Sequence, residues 1–317
     1  MNETHEEKLV SLGKTDVRIP PLGTGAWAWG DQFYWGFGGT YDESDVHGAF
    51  EASLEAGINF FDTAEIYGFG NSERLLGKFS GSLDQPILVA TKFMPLPLRF
   101  GKKRLLSALN GSLRRLRMDH VDLYQIHSPV PLVSIEKLME GMAEAIRQGL
   151  VRSVGVSNYS AGQMLKAQSA LAAHGIPLAS NQVNYSLVER GVERNGLLEA
   201  CRQSGITLIA YSPLGKGTLT GKYSPGKTPS GMRSFSFNSR YLEKIQPLIQ
   251  LMREIGENHG GRTPAQVALN WTICKGAVPI PGAKNARQAT DNVGALGWRL
   301  SQDEVMALDQ ASDMAVG

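Results

Sequence analysis

The chain has 317 residues, 42% of them hydrophobic and 20% charged, ordinary proportions for a globular protein with a sizeable core. A formal net charge of +2 argues against a nucleic-acid stripe or a polybasic membrane patch. The only cysteines, Cys201 and Cys274, lie in separate helical patterns, so a disulfide framework is not expected and a reducing compartment fits.

The segment Met1 to Lys8 has neither an apolar core nor an Arg-rich amphipathic pattern, and no apolar run approaches the ~20 residues needed to span a bilayer. A cytoplasmic location is expected, or the plastid stroma if a transit peptide has been removed. Leu9 to Leu12 and Val17 to Ile19 flank Gly13-Lys14-Thr15-Asp16 and predict a small β-hairpin. Strand and helix patterns then alternate eight times. Strands are predicted to begin near Leu22, Ile58, Ile87, Val121, Val151, Asn181, Thr207 and Val278. Helices are predicted over 43–56, 72–79, 101–117, 135–148, 160–173, 192–204 and 239–258, with a last one after Lys284. This alternation predicts an α/β fold, a (β/α)8 TIM barrel spanning residues 1–317 as one domain, with the hairpin capping its closed bottom. Two helices stand outside the eight units: one from Thr263-Pro264 to Lys275, and a C-terminal one from Ser301, where Glu304 completes a capping box.

Two segments are longer than the short connections of compact barrels, and loops beyond about 12–15 residues are commonly functional or disordered. Asp31 to Tyr41 follows the first strand, and Pro213 to Phe237 follows the seventh. Both belong to the rim where parallel strands end.

Four polar residues mark the same rim. Ile58-Asn59-Phe60-Phe61 ends in Asp62 and then Tyr67, Ile87 to Thr91 ends in Lys92, and Val121 to Ile126 ends in His127. Ile58, Phe60 and Asp62 share a strand face, as do Leu88, Ala90 and Lys92, and Leu123, Gln125 and His127. Each polar group therefore ends an inward-facing row. A phenol beside an ammonium is expected to have its pKa lowered, a carboxylate offsets the cost of burying that ammonium, and a neutral imidazole can orient a substrate oxygen. Together they make a general acid aimed at a carbonyl oxygen, which suits reduction.

The segments Phe61-Asp62-Thr63-Ala64-Glu65-Ile66-Tyr67-Gly68, Ala90-Thr91-Lys92, Asp122 to His127, Gly155-Val156-Ser157-Asn158, Asn181 to Tyr185 and Ala210-Tyr211-Ser212-Pro213-Leu214 resemble the signatures of the aldo-keto reductase superfamily. Asp62, Tyr67, Lys92 and His127 match its catalytic tetrad in order. Gly25 to Gly30 and Ser72 to Phe79 are similar to the plant and cyanobacterial branch that includes pyridoxal reductases.

The resemblance implies NADPH-dependent reduction of a small-molecule carbonyl, an aldehyde or some ketones, with Tyr67 as acid. It implies a nicotinamide dinucleotide across the rim. Ser157, Asn158 and Gln182 would bind its carboxamide, and Tyr211 would stack on the nicotinamide, with Ser212, Leu214 and Gly282 nearby. Gly215 to Gly221 has the wrong spacing for a Rossmann fingerprint; a flexible loop covering the pyrophosphate with Gly217, Lys216 and Lys222 is the simpler reading. Lys284 would pair with a 2′-phosphate, and Gln288 and Asn292 would hold the adenine. The segment departs from the better-known family pattern, which has Lys-Ser after the proline and a basic residue at the Gln288 position. NADPH is nonetheless expected over NADH, because a phosphate-binding cation is present; Asp291 is read equally as a helix cap, a Lys284 partner or a ribose reader.

Trp27, Trp29, Phe33, Tyr34, Trp35 and Phe37, with Met94 and Leu96 after the third strand, are expected to wall the substrate pocket, favouring aromatic or medium-chain aldehydes over sugars. Trp271 and Trp298 are expected in the core. A metal-dependent barrel hydrolase is not expected, because Leu22-Gly23-Thr24-Gly25 carries no His-x-His pair and the remaining histidines are scattered. A slow-turnover sensor or auxiliary subunit on the same fold is the alternative, and the oligomeric state is left open.

Overall fold

The structure, a computed structural model, describes residues 9–316 apart from 82, 84, 97, 98, 100, 132 and 229–236. The first eight residues and part of the second long loop lie outside it. Two short strands, β1 (Val10–Ser11) and β2 (Arg18–Ile19), form the antiparallel hairpin. Eight parallel strands follow: β3 (Thr24–Gly25), β4 (Phe60–Asp62), β5 (Leu88–Phe93), β6 (Val121–Ile126), β7 (Val151–Ser157), β8 (Leu178–Asn184), β9 (Thr207–Tyr211) and β10 (Val278–Ile280). They pair in sequence order. The first and last meet through a Gly25–Gly282 bridge and through Gly23 and Gly25 amides donating to Pro279 and Pro281 carbonyls, each at 3.0 Å. A Cβ at Gly25 would sit 2.8 Å from the Ile280 oxygen, so glycine permits the closure.

The barrel interior is filled by Phe60, Ala90, Leu123, Ala179, Ile209, Val278 and Ile280, together with Leu12, Val17 and Ile19 of the hairpin segment. The hairpin plugs the end where strands begin. Gly13 N–H donates to Thr207 Oγ1 at 2.8 Å, and Thr207 Oγ1 donates to the Ser11 carbonyl at 3.0 Å. The opposite rim stays open.

The helices form the outer ring: α1 (Glu43–Glu55), α2 (Asn71–Ser80), α3 (Lys102–Leu116), α4 (Ile135–Arg147), α5 (Ala161–Ala172), α6 (Gly191–Arg194), α7 (Leu197–Ser204), α8 (Ser239–Asn258), α9 (Pro264–Cys274), α10 (Ala286–Val293) and α11 (Gln302–Val316). α9 starts on a capping box between Thr263 and Gln266 with proline just inside, and Asp42 and Ser160 cap α1 and α5 in the same way. The run expected as one helix over 192–204 is broken, because Gly196 takes φ +76° between α6 and α7. β8 begins three residues before Asn181. Trp271 is buried and donates through Nε1 to Asp309, while Trp298 packs partly buried against the core, as expected of both. No helix among the described residues is long and apolar enough to cross a membrane.

Candidate active site

The open rim holds a cavity of about 720 Å³, lined by residues from the ends of every barrel strand except β5 and from both long loops. At its floor, Lys92 is fully buried on β5, an expensive place for an ammonium unless its donors are used. All three donors have acceptors: Asp62 Oδ1 at 2.5 Å, the Thr63 carbonyl at 2.7 Å and Tyr67 Oη at 3.4 Å. Asp62 takes its second hydrogen bond from Gln182 Nε2 at 2.8 Å, so the Gln182 amide orientation is dictated by the carboxylate. Burial lowers the pKa of Lys92, and the adjacent Asp62 charge counters that.

Tyr67 stands just past the end of β4, in the turn that leads into α2. Two buried contacts hold that turn: Thr63 Oγ1 and Ser72 Oγ meet at 2.8 Å, and Ser72 donates to the Ala26 carbonyl at 2.9 Å. Deeper support comes from Glu73, wholly buried on α2, which accepts from Thr91 Oγ1 and Arg115 Nε at 2.6 Å each. The expectation that Lys92 lowers the Tyr67 pKa is corrected. Burial first, and the Asp62 charge second, raise it well above the ordinary phenol value. The phenol is therefore held protonated, with an ammonium N–H already directed at its oxygen.

His127 faces Tyr67 edge to face, ring centroids 5.7 Å apart. Burial first, and the Lys92 charge second, push its pKa down to about 3. The ring is neutral at any ordinary pH. Its buried Nδ1 has no partner among the described residues.

Beside the floor, Asn158 adopts φ +61° and knots three strand ends together. Its Nδ2 donates to the His127 carbonyl at 3.0 Å and to Ser157 Oγ at 3.1 Å, and its Oδ1 accepts from Tyr211 Oη at 3.0 Å. The Tyr211 ring is thus fixed at the end of β9. Ser212 and Lys216 also take positive φ, and Ser212, Leu214, Lys216, Gly217 and Lys222 all line the cavity. Gly215–Thr220 folds as short turns kinked at Lys216 and Gly217, both with positive φ, and Leu219 within it is fully buried. Lys216 reaches across to the face of Tyr34 at 5.7 Å, so the two long loops touch above the cavity.

Gly282, Lys284, Gln288 and Asn292 line the far end. Lys284 Nζ donates to the Trp35 carbonyl at 2.8 Å and sits 4.1 Å from the Tyr41 ring centroid; its amide donates to Gln288 Oε1 at 2.9 Å. Asn292 Nδ2 donates to the Gly282 carbonyl at 3.4 Å. Asp291 Oδ1 is engaged by Thr263 Oγ1 and Gln266 Nε2 at 3.1 and 3.0 Å, which ties it to the start of α9 rather than to Lys284. Arg287, one residue before Gln288, also lines this end, and sequence reasoning missed it. Its signal was legible: a second cation three residues after Lys284, on the first turn of α10.

Six of the eight expected substrate residues lie outside the cavity lining: Phe33 and Leu96 are exposed, Tyr34 and Phe37 are half-buried, and Trp29 and Met94 are engaged elsewhere. Trp29 is fully buried against Phe50, Phe61 and Phe79, and its Nε1 donates to the Ala283 carbonyl at 2.8 Å. It is a core residue. Met94 lies outside the cavity lining; its amide donates to Glu65 Oε1 at 2.8 Å, and the bidentate Arg99–Glu65 pair draws this segment outward. Trp27 and Trp35 do line the cavity. Trp27 stacks on Tyr34 at 5.2 Å, meets Trp35 edge to face at 5.3 Å and approaches Tyr67 at 6.2 Å, an aromatic wall leading to the phenol.

Barrel, open rim and floor together are those of a reductase scaffold, and comparison with known proteins agrees. The chain belongs to the aldo/keto reductase family, whose model matches residues 21–313. It is 44% identical over 311 residues to the chloroplastic pyridoxal reductase of Arabidopsis thaliana, covering 93% of this chain and 84% of that one. It is 31% identical over 281 residues to an aldo-keto reductase of Schizosaccharomyces pombe whose name specifies NADP(+), covering 83% and 81% of the two chains. Among solved structures, a thermostable aldo-keto reductase in complex with the inhibitor epalrestat superposes with a TM-score of 0.79 at 31% identity, covering 96% of this chain and 99% of that one. A glycerol dehydrogenase from Gluconobacter oxydans superposes with a TM-score of 0.85 at 27% identity, covering 98% and 97%.

Proposed function

We propose that this member of the family is an NADPH-dependent aldehyde reductase with Tyr67 as general acid, and that its substrates carry an aromatic ring, pyridoxal among them. The observation that carries the reading is the buried Lys92 ammonium, shared between Asp62 and Tyr67 beside a neutral His127. The donor set fits a nicotinamide dinucleotide. Ser157, Asn158 and Gln182 offer amide and hydroxyl groups at the strand ends, Tyr211 presents a fixed aromatic ring, and Lys284 and Arg287 supply cations at the far end. Lys216, Gly217 and Lys222 would cover the pyrophosphate.

When bound, the reduced nicotinamide supplies a hydride to the carbonyl carbon. The protein's task is the oxygen. His127 donates a hydrogen bond that orients it, and Tyr67 delivers a proton as negative charge develops there. Tyr67 is protonated at neutral pH, burial makes its proton harder to release, and the Lys92 N–H offsets this by stabilising the phenolate left behind. Asp62 keeps Lys92 charged in a buried setting. The wall of Trp27, Tyr34 and Trp35 favours a flat ring in the substrate. The 44% identity to a pyridoxal reductase supports pyridoxal as the first aldehyde to try.

The test is NADPH oxidation on an aldehyde panel including pyridoxal, wild type beside Tyr67→Phe. Turnover that falls by about 10²–10⁴-fold in the variant supports the assignment. Equal rates in the two proteins would remove Tyr67 as the acid. Tight NADPH binding without turnover on any aldehyde would point to an auxiliary subunit on the reductase fold.

A further inference from the structure

A second cavity, of about 430 Å³, lies outside the active site and shares none of its lining residues. It sits between α3 and the segments that follow β4 and β5, and four of its walls are guanidinium groups: Arg99, Arg104, Arg114 and Arg115. Two of the four are already neutralised from below. Arg99 pairs with Glu65, and Arg115 pairs with the buried Glu73. Arg104 and Arg114 are exposed and have no ion-pair partner among the described residues. The cavity thus carries two uncompensated positive charges in a chain whose net charge is only +2.

The placement is unfavourable for stability alone. α3 contains Lys102, Lys103, Arg104, Arg114 and Arg115 and no acidic residue. Three of those cations occupy its first turn, where the helix dipole is already positive and cations are disfavoured. Arg104, Ser107, Gly111 and Arg114 or Arg115 recur at helical spacing, so α3 turns one continuous donor face to the cavity. Position 111 adds no side chain to this wall, and a Cβ there would come within 3.3 Å of Arg115 Nη1.

We infer that this pocket binds a phosphoryl dianion, either inorganic phosphate or the phosphate of a small monoester. A dianion matches the two unpaired charges, and the planar forks of Arg104 and Arg114 suit phosphate oxygens bidentately. Arg99 and Arg115 keep their carboxylates and contribute their outward N–H groups, and the Ser107 hydroxyl adds a neutral donor.

Isothermal titration at constant ionic strength tests this, with inorganic phosphate in one arm and glycerol 3-phosphate in the other. Wild type, R104A/R114A and K284A/R287A are compared, the last removing the cations at the far end of the active-site cavity. We expect saturable binding that R104A/R114A weakens at least tenfold and K284A/R287A leaves within twofold. Tighter binding of glycerol 3-phosphate identifies an organic monoester as the occupant; tighter binding of inorganic phosphate identifies the free ion. Binding lost in K284A/R287A but kept in R104A/R114A, or no saturable binding in either arm, overturns the inference. Because Arg104 and Arg114 are exposed and Arg104 opposes the helix dipole, R104A/R114A should keep the wild-type circular dichroism and a melting temperature equal to or above that of wild type. A Gly111→Leu variant, which fills the pocket without removing charge, should weaken binding to the same degree.

Discussion

Replacing His127 by Gln should make the protein less sensitive to acid, although it removes a residue from the candidate active site. In the folded chain the imidazole is neutral down to about pH 3, because burial and the neighbouring Lys92 ammonium both penalise its charged form. In the unfolded chain it titrates near pH ~6.5. Between those values the unfolded state binds more protons, so folding stability rises with pH and is lost as pH falls through the window. At pH 7 the effect is small, about 0.2 kcal/mol; at pH 5 it reaches about 2 kcal/mol, at 1.36 kcal/mol per pH unit. Wild type should therefore lose about 2 kcal/mol more than His127→Gln on going from pH 7 to pH 5, by urea unfolding at each pH. All other titrating groups are common to the two proteins and cancel in the difference. The same neutrality has a kinetic face: kcat/KM for reduction should show no break near pH 6.5. Parallel stability curves for the two proteins, or a His127 ring resonance that shifts near pH 6.5, would refute the reasoning, since either places a titratable imidazole where the geometry puts a neutral one.

Three further outcomes are expected. Lys92→Met leaves the Asp62 carboxylate buried without its cation and should cost about 3–5 kcal/mol of stability, measured by denaturant unfolding, as well as abolishing reduction. Trp29→Ala should destabilise by about 3–5 kcal/mol with KM for aldehydes little changed, whereas Trp27→Ala should raise KM while costing much less stability; the reverse pattern would return Trp29 to the substrate pocket. Lys284→Ala should weaken NADPH binding by about 10–100-fold, the range of one or two charge-assisted hydrogen bonds, and leave NADH binding nearly unaltered; equal losses in fluorescence titrations would argue against a 2′-phosphate partner at this position.

Much of the barrel was legible because parallel strands covered on both faces read as mainly apolar runs. Leu88 to Phe93 and Val121 to Ile126 are examples, interrupted only by Thr91 and Lys92 in the first and by Asp122 and Gln125 in the second, and each almost entirely buried. The departures have local causes. β3 is a two-residue strand because its partners approach through glycines, and a glycine-rich stretch carries no alternating pattern to read. The split between α6 and α7 hangs on a single residue, Gly196, in a left-handed conformation that helical periodicity does not register.

At the site, a general rule served the polar groups and failed the aromatic ones. Asp62, Lys92 and His127 end strand faces whose inward side is set by Phe60, Ala90 and Leu123, so the direction of each polar side chain follows from the pattern of its own strand. Trp27 and Trp29 have the same two-residue spacing, but they sit in a turn where the Trp29 amide donates to the Ala26 carbonyl at 2.9 Å. Spacing then no longer implies a shared face: Trp27 meets the cavity, and Trp29 goes beneath it into the core. The Tyr67 pKa was misjudged for a related reason. A list of neighbours gives the sign of each pairwise charge effect, but burial is a property of the folded surroundings, and here it outweighs the ammonium beside the phenol. The consequence for the chemistry proposed is a demand on Lys92. A phenol whose pKa is raised by burial is a weaker acid, so the ammonium N–H directed at its oxygen has to stabilise the phenolate as the proton leaves.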